Sequence, residues 1–252
     1  MNASSLLPKF ARLVIAALPA LALASTASAL GQISELHNRI APFPDNISGG
    51  RVALTLDACG GGFDVELIQF LIQQRIPATL FVTKKWLDKN PLGTAMLTAH
   101  LDLFDIEDHG ENHIPAVIGA GRKVYGIPSV AGVPQLRQEV LAGASAIERA
   151  TGVPARWFRG ATAEYDVQAA DEIRRMGFSI AGFSVNADAG ATLKKPQIVE
   201  RLRRVRDGDV IIAHMNKPAS DTAKGLIVGL AELRQRGLVF ARLDQLTLVD
   251  VK

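Results

Sequence analysis

Short apolar runs alternate with longer amphipathic segments along most of this chain. Seven runs are rich in β-branched and aliphatic residues and have the length of strands, at 51–56, 78–82, 103–107, 155–158, 178–183, 210–213 and 238–242. Segments with helical spacing of apolar residues follow several of them, at 64–74, 136–150, 166–176, 198–205 and 222–236. The alternation favours parallel strands with crossover helices, so the pattern predicts an α/β fold, a distorted (β/α) barrel of about seven parallel strands.

Residues at the ends of these segments support their boundaries. Asp64 is placed to cap the first helix, and Gly152, Gly177 and Gly237 suit the left-handed residue that closes a helix. The Gly- and Pro-containing stretch between His113 and Pro134 matches neither pattern, and we expect a loop at the rim of the barrel.

Polar side chains follow the strand-like runs at the points where the runs end. They are Asp57, the pair His109 and His113, Arg159, Asp188 and His214. A βα barrel builds its reaction centre from the carboxyl ends of several strands. The order of these residues therefore predicts a single site assembled from most of the chain.

The histidine pair and Asp57 predict metal-assisted hydrolysis. His109 and His113 are four residues apart, which brings both imidazoles to one side of a turn, where they can share a divalent ion. Asp57 leaves a buried strand into the glycine-rich turn Gly60–Gly62, near enough to such an ion to activate its water. The alternatives are two ordinary histidines and an Asp that only forms the turn.

The remaining strand-end residues fit supporting roles. His214 follows a buried run and is a candidate proton donor to a leaving group, because its ordinary pKa suits both protonation states. Asp188 would orient that imidazole, and Arg159 would keep Asp57 ionised. Each residue also has an ordinary explanation when it is taken singly. His214 could be a core histidine, Asp188 could form a loop turn, and Arg159 could belong to a solvated ion pair.

The first residues predict a secretory leader. Lys9 and Arg12 precede an apolar run, 13–24, which is shorter than the roughly 20 residues of a membrane span and ends in Ala27-Ser28-Ala29. We expect a signal peptide at 1–29, a lead-in at 30–49 and one domain at 50–252, in an exported protein that is periplasmic or secreted. An uncleaved anchor is the alternative; after cleavage we expect no stable membrane insertion.

The charge balance narrows the classes of binding partner, and the cysteine content narrows the sources of stability. The chain has 28 Lys and Arg against 25 Asp and Glu, and the predicted leader holds two of the basic residues and no acidic one. The remaining balance gives no electrostatic reason to expect nucleic acid as a partner. Cys59 is the only cysteine, so an intramolecular disulfide is excluded and stability must come from the core.

The strand-end motifs resemble those of the polysaccharide deacetylase family, the NodB-homology domain of carbohydrate esterase family four. The matching stretches, in order, are Leu54–Asp57, Pro77–Val82, His109–His113, Phe158–Gly160, Val185–Asp188 and Val210–His214. The family's first motif is usually Thr-Phe-Asp-Asp-Gly, whose first Asp is the general base and whose second binds the metal. The resemblance implies a metal-dependent deacetylase with His109 and His113 as metal ligands, and the likeness runs from about residue 50 onward.

Departures from the family pattern leave the third metal ligand open. Ala58 stands where the family has its metal-binding Asp, and alanine has no donor atom. Asp57, Cys59 or Asp64 could supply the ligand, and a thiolate would suit Zn²⁺. Gly160-Ala161 and Ala189 replace two prolines and a tryptophan of the family motifs, which predicts a reshaped acyl pocket.

The sequence therefore predicts a polysaccharide deacetylase that contains Zn²⁺ or a similar ion. It would remove amide-linked or ester-linked acetyl groups from a polysaccharide or oligosaccharide, with Asp57 and His214 as base and acid. Trp86, Trp157 and Tyr165 are candidates for stacking on a sugar ring. The alternative is a catalytically silent barrel that binds carbohydrate.

Overall fold

The computed structural model describes Met1, residues 31–42 and residues 50–251. The predicted leader at 1–29, apart from Met1, and residues 30 and 43–49 of the predicted lead-in at 30–49 lie outside the described residues, so both assignments stay predictions. From Gly31 onward the chain forms one compact unit. None of the helices in the described ranges has the length and apolarity needed to cross a membrane.

Strands and helices alternate in the order that the apolar pattern predicts. The strands are β1 (Ile33–Glu35), β2 (Asn38–Ile40), β3 (Arg51–Ala58), β4 (Ala78–Val82), β5 (Phe104–Asp108), β6 (Lys123–Val124), β7 (Ile127–Pro128), β8 (Trp157–Phe158), β9 (Glu164–Asp166), β10 (Ser179–Ile180), β11 (Val185–Asn186), β12 (Val210–His214), β13 (Val239–Ala241) and β14 (Leu248–Asp250). The helices are α1 (Val65–Gln73), α2 (Lys84–Lys89), α3 (Pro91–Thr98), α4 (Val133–Thr151), α5 (Val167–Arg175), α6 (Lys195–Arg203) and α7 (Thr222–Gln235).

The main sheet is parallel throughout and curls into an open barrel. Its strands follow the order β10-β8-β5-β4-β3-β12-β11, and β13 pairs with the first residues of β3. All seven predicted strands are present, and the short strand β11 is an eighth. The predicted α/β barrel is therefore confirmed, and β3 is central because it pairs with β4, β12 and β13.

Alternation along β3 separates two cores. Val52, Leu54, Leu56 and Ala58 belong to the large apolar cluster that the sheet forms with its surrounding helices. Ala53 belongs to a smaller cluster inside the barrel, formed mainly by strand residues. The polar positions that follow Ala53 on the same face therefore point into the barrel toward its carboxyl-terminal opening.

The loop after β5 is held against α4. Gly110 has a φ of 89°, which favours glycine, and its N–H donates to Asp108 Oδ1 at 2.8 Å. Glu139 of α4 accepts hydrogen bonds from the backbone N–H of Asn112 and Ile114. Gly143 of α4 lets the helix approach closely, because a Cβ there would overlap Asp108 Oδ1 and lie 2.7 Å from the carbonyl carbon of Gly110.

We expect Gly143→Ala to lower the free energy of unfolding by about 2 kcal/mol. Overpacking against backbone typically costs about 1–3 kcal/mol, which outweighs the gain of at most about 1 kcal/mol from better helix propensity. Denaturant unfolding measures the difference. The control is Ser145→Ala, an exposed position of the same helix, which should change stability by less than about 0.5 kcal/mol. A Gly143→Ala variant as stable as the unmodified protein would show that α4 does not constrain this loop.

Candidate active site

The end of β3 delivers one carboxylate and one thiol to the barrel opening. Asp57 faces inward, where its Oδ1 accepts a hydrogen bond from Arg159 at 2.9 Å. Ala58 faces the opposite side and is fully buried in the outer apolar cluster. Cys59, the next residue, lines the cleft with Asp57. A side chain at position 58 therefore points away from the site, whereas one at position 59 points into it.

His109 lies in the tight loop after β5, and its orientation is fixed by a carbonyl. Its Nδ1 is 2.5 Å from the carbonyl oxygen of Arg159. Because a carbonyl oxygen only accepts hydrogen bonds, Nδ1 must carry the proton and donate it. In the neutral ring, Nε2 then keeps its lone pair and faces Cys59 and Asp57, an orientation typical of a metal-ligating histidine.

Three donor atoms form a group that fits a metal ion. The ligand atoms of Cys59, His109 and His113 lie within 4.8 Å of one another. Nitrogen and sulfur donors suit Zn²⁺, and three protein ligands leave one position open for water or substrate. Asp57 Oδ2 is 3.8 Å from His109 Nε2, beside this group but not within it. Asp64 caps α1 by accepting from Leu67 N and does not line the cleft.

Arg159 holds Asp57 from inside the barrel. Its guanidinium is fully buried and donates to Thr55 Oγ1 at 2.8 Å as well as to Asp57. The other nitrogens donate to the carbonyl oxygens of Ala181 and Gly182. The charge also lies over the ring of Phe81, 4.3 Å from its centroid. These contacts hold the carboxylate in one orientation, with Oδ2 turned toward His109.

His214 and Asp188 form a second hydrogen-bonded pair at the cleft. The register of β12 with β3 places His214 directly opposite Asp57. His214 Nδ1 is 3.0 Å from Asp188 Oδ1, and the His214 backbone N–H donates to Asp188 Oδ2. Thr222 at the start of α7 also donates to this carboxylate, a contact that the sequence did not predict. Asp188 therefore orients the His214 ring, and the Nε2 edge of that ring remains on the cleft side.

The charges in the site reinforce one another. Burial alone would raise the pKa of Asp57, but the positive charges of Arg159, His109 and His214 outweigh it and leave the pKa below its ordinary value. Burial likewise opposes ionisation of Cys59, yet charge and hydrogen bonding at His109 bring its pKa well below the usual range.

The pKa values of two histidines, His109 and His214, are shifted upward. Burial would lower the pKa of His109, but the charges of Asp57 and Cys59 raise it to about 9. Burial also opposes ionisation of His214, whereas its hydrogen bond with Asp188 raises the pKa well above the ordinary value. Metal binding at His109 must therefore displace a proton.

A cleft of about 600 Å³ opens above these residues. Asp57, Cys59, His109, His113 and His214 all line it, so the strand-end residues converge as the sequence predicts. Arg159 lies beneath Asp57, and Asp188 lies behind His214.

Different aromatic residues line the cleft from those the sequence suggested for sugar stacking. That expectation is wrong for Trp86 and Tyr165, which are buried and hydrogen-bonded to backbone groups. Trp157 is half-buried and packs on the inner apolar cluster. The cleft is instead lined by Phe183 and by Tyr125, which is 75% exposed at the tip of the β6–β7 hairpin. A Val-Tyr-Gly-Ile stretch with turn-forming glycine was the signal for that hairpin.

The chain belongs to the polysaccharide deacetylase family. The family model described as "Polysaccharide deacetylase" matches residues 45–181, more than half of the chain, which confirms the resemblance noted from the motifs. The match ends before Asp188 and His214. A search of curated proteins found no match to this sequence.

Solved structures of carbohydrate esterase family 4 (CE4) share the fold. A CE4 pseudoenzyme from Bacillus anthracis is 17% identical, with a TM-score of 0.64 over 82% of this chain and 67% of that one. A family 4 carbohydrate esterase from Streptomyces lividans in complex with acetate is 21% identical, with a TM-score of 0.62 over 76% and 92%. An acetyl xylan esterase from Clostridium thermocellum with a cobalt ion is 20% identical, with a TM-score of 0.62 over 77% and 88%. At these identities the similarity shows the fold alone.

We expect Arg159→Met to lower the free energy of unfolding by about 3–5 kcal/mol, because it leaves the Asp57 carboxylate buried without its partner. Adding Asp57→Asn should recover part of that loss, since no unpaired charge then remains. Denaturant unfolding of the single and double variants measures the coupling. The control is Arg174→Met, which breaks the exposed pair with Asp171 and should cost less than about 1 kcal/mol. A loss of stability in Arg159→Met no larger than that in the control would show that the buried Asp57 carboxylate does not depend on Arg159.

Proposed function

We propose that this protein is a metal-dependent deacetylase that removes acetyl groups from an N-acetylated or O-acetylated polysaccharide. The observation that supports this most strongly is the meeting of Asp57, His109, His113 and His214 in one cleft. A carboxylate base, two imidazole metal ligands and a protonated imidazole are the groups that hydrolysis of an acetyl amide or ester needs. The family model matches residues 45–181, a range that includes Asp57, His109 and His113.

His109 and His113 would hold the metal, which we propose to be Zn²⁺. When bound, such an ion supplies Lewis-acid polarisation of a carbonyl and lowers the pKa of water. His109 is prepared for this role because the Arg159 carbonyl binds Nδ1 and leaves Nε2 toward the cleft. The Clostridium thermocellum esterase, which carries a cobalt ion, shares the fold.

Asp57 would act as the general base and His214 as the general acid. The Arg159 charge keeps the Asp57 carboxylate ionised, and Oδ2 is not occupied by the guanidinium, so it can accept a proton from water. The Asp188 carboxylate favours the protonated form of His214, which can then donate to the departing amine or alkoxide. The register of β12 with β3 places the acid and the base next to each other.

The cleft offers aromatic surfaces on which a sugar chain can stack. Phe183 and the exposed ring of Tyr125 offer apolar faces of the kind on which pyranose rings stack, and Tyr125 donates a hydrogen bond to Glu164 that limits its rotation. The structure from S. lividans is described as a family 4 carbohydrate esterase, and the one from C. thermocellum as a family 4 acetyl xylan esterase. We propose an acetylated polysaccharide or oligosaccharide as the substrate and, from the leader-like first residues, an exported protein.

A catalytically silent carbohydrate-binding barrel is the second candidate. Two observations favour it: Ala58 replaces the metal-binding Asp of the family motif, and a CE4 pseudoenzyme from Bacillus anthracis shares the fold. Both candidate functions are compatible with this fold and cleft, but only the deacetylase would release acetate.

The proposal is tested by substituting His109 and His113 together with alanine. The unmodified, zinc-loaded protein should release acetate from at least one of chitin oligomers, peptidoglycan, β-linked N-acetylglucosamine polymers or acetylated xylan. The double variant should lose both bound metal and acetate release, measured by metal analysis and acetate assay, while circular dichroism shows that it is folded. The control His100→Ala, on a histidine outside the cleft, should behave as the unmodified protein. Acetate release that persists in the metal-free double variant would refute the mechanism, and glycan binding without any acetate release would favour the silent barrel.

The pH dependence tests the acid role of His214. A general acid works when protonated, so activity should fall as the pH rises through the pKa of His214, which the Asp188 carboxylate raises. In Asp188→Asn the amide keeps one acceptor oxygen but loses the negative charge, so the pKa should fall. The alkaline limb of the kcat/KM profile should move to lower pH. The control Asp171→Asn, an exposed carboxylate, should leave the limb in place. An unchanged alkaline limb in Asp188→Asn would exclude the pair as the proton source.

A further inference from the structure

We propose that Cys59 is the third protein ligand of the metal, which makes the centre a Cys-His-His site in which a thiolate replaces the carboxylate of the family motif. The inference rests on the proposed metal site of His109 and His113. On this inference, Ala58 does not mean that the third ligand is lost, because Cys59, the next residue along the chain, supplies the donor atom.

The direction of the side chains on β3 explains the move. Ala58 is fully buried in the outer apolar cluster, on the side of the sheet opposite the cleft. A carboxylate placed there by simple substitution would enter an apolar environment, at a cost of several kcal/mol. Cys59 follows the last strand residue and lines the cleft, so it is the position from which this backbone can reach the ion.

The distance between Cys59 and His109 matches a tetrahedral metal site. Zinc bonds of about 2.3 Å to sulfur and about 2.0–2.1 Å to nitrogen, at a tetrahedral angle, set the two donors about 3.6 Å apart. Cys59 Sγ is 3.5 Å from His109 Nε2, and the donor atom of His113 completes a triangle with sides no longer than 4.8 Å. One ion can therefore contact all three atoms with little movement of the chain.

The two competing carboxylates, Asp57 and Asp64, each have another hydrogen-bond partner. Asp57 Oδ1 receives the Arg159 hydrogen bond, and Oδ2 is farther from His109 Nε2, at 3.8 Å, than the thiol is. Asp64 is buried at the start of α1, where it accepts from Leu67 N. Among the described residues, the hydrogen-bond contact of the Cys59 thiol is with a site histidine, His109.

A thiolate ligand has a chemical consequence that a carboxylate does not. Soft sulfur donors favour Zn²⁺ and Co²⁺ over Mg²⁺ and Mn²⁺, which prefer oxygen. The protein should therefore select a narrower set of metals than a site built from one carboxylate and two histidines.

Cobalt loading tests the ligand directly and does not depend on activity. The full chain loaded with Co²⁺ should show an intense thiolate-to-cobalt charge-transfer absorption in the near ultraviolet. In Cys59→Asp the band should vanish while cobalt still binds through the new carboxylate. In Cys59→Ala the affinity for Co²⁺ should fall by more than about 100-fold, since loss of an outer-shell partner alone costs 10–100-fold. X-ray absorption of the unmodified zinc protein, which needs no variant, should show one sulfur and two imidazole nitrogens.

Ala58→Asp is the matched control. If position 58 were the ligand position, this variant would bind metal more tightly and would make Cys59 dispensable. We expect instead an unchanged charge-transfer band in whatever folded protein is recovered, and lower stability. A band that persists in Cys59→Asp, or a zinc spectrum without sulfur, would overturn the inference.

The results also separate this inference from the proposed function. A charge-transfer band without acetate release from any of the substrates would support Cys59 as a ligand and refute the deacetylase. Acetate release by a metal-loaded protein whose spectra show no sulfur ligand would refute the inference and support the deacetylase. A protein that binds neither Zn²⁺ nor Co²⁺ would overturn both.

Discussion

The organisation of the cleft depends on one buried ion pair, Arg159 with Asp57. Removing two such charges from water costs several kcal/mol for each ion, so the pair is tolerable only where the remaining hydrogen-bonding capacity is used. Here the guanidinium also binds Thr55 Oγ1 and two carbonyl oxygens, and the carbonyl of Arg159 itself binds His109. A single residue thus positions the carboxylate at the end of β3 and the imidazole after β5. The same constraint explains why the carboxylate stays ionised although it is buried.

The fold could be predicted because the strands of a parallel barrel are short apolar runs bounded by turn residues. All seven predicted strands are present, and Asp64 caps α1 as expected. The eighth strand, Val185–Asn186, was missed because two half-buried residues carry no periodic signal. Helices α2 and α3 were missed for a related reason: at six and eight residues they are too short for a pattern, and Pro91 separates them.

Prediction of the site reached the residues at strand ends and two of their pairings, Arg159 with Asp57 and Asp188 with His214, but not the contacts from more distant elements. Asp57, His214 and the histidine pair could be expected to converge, because carboxyl ends of parallel strands share one side of a barrel. The contacts of Thr222 with Asp188 and of Tyr125 with the cleft depend on how a helix and a hairpin pack, which local sequence does not specify. The choice between Ala58 and Cys59 required knowing which face of β3 each occupies.

The pairing of β12 with β3 joins two distant parts of the chain in the cleft. His214 sits opposite Asp57 only after a strand near the end of the chain has docked beside one near its beginning. Long-range parallel pairing of this kind is slow, because loop-closure entropy is lost before the contacts form. His214 therefore reaches the cleft only through this long-range pairing, whereas Cys59, His109 and His113 lie in one stretch of the chain near its beginning.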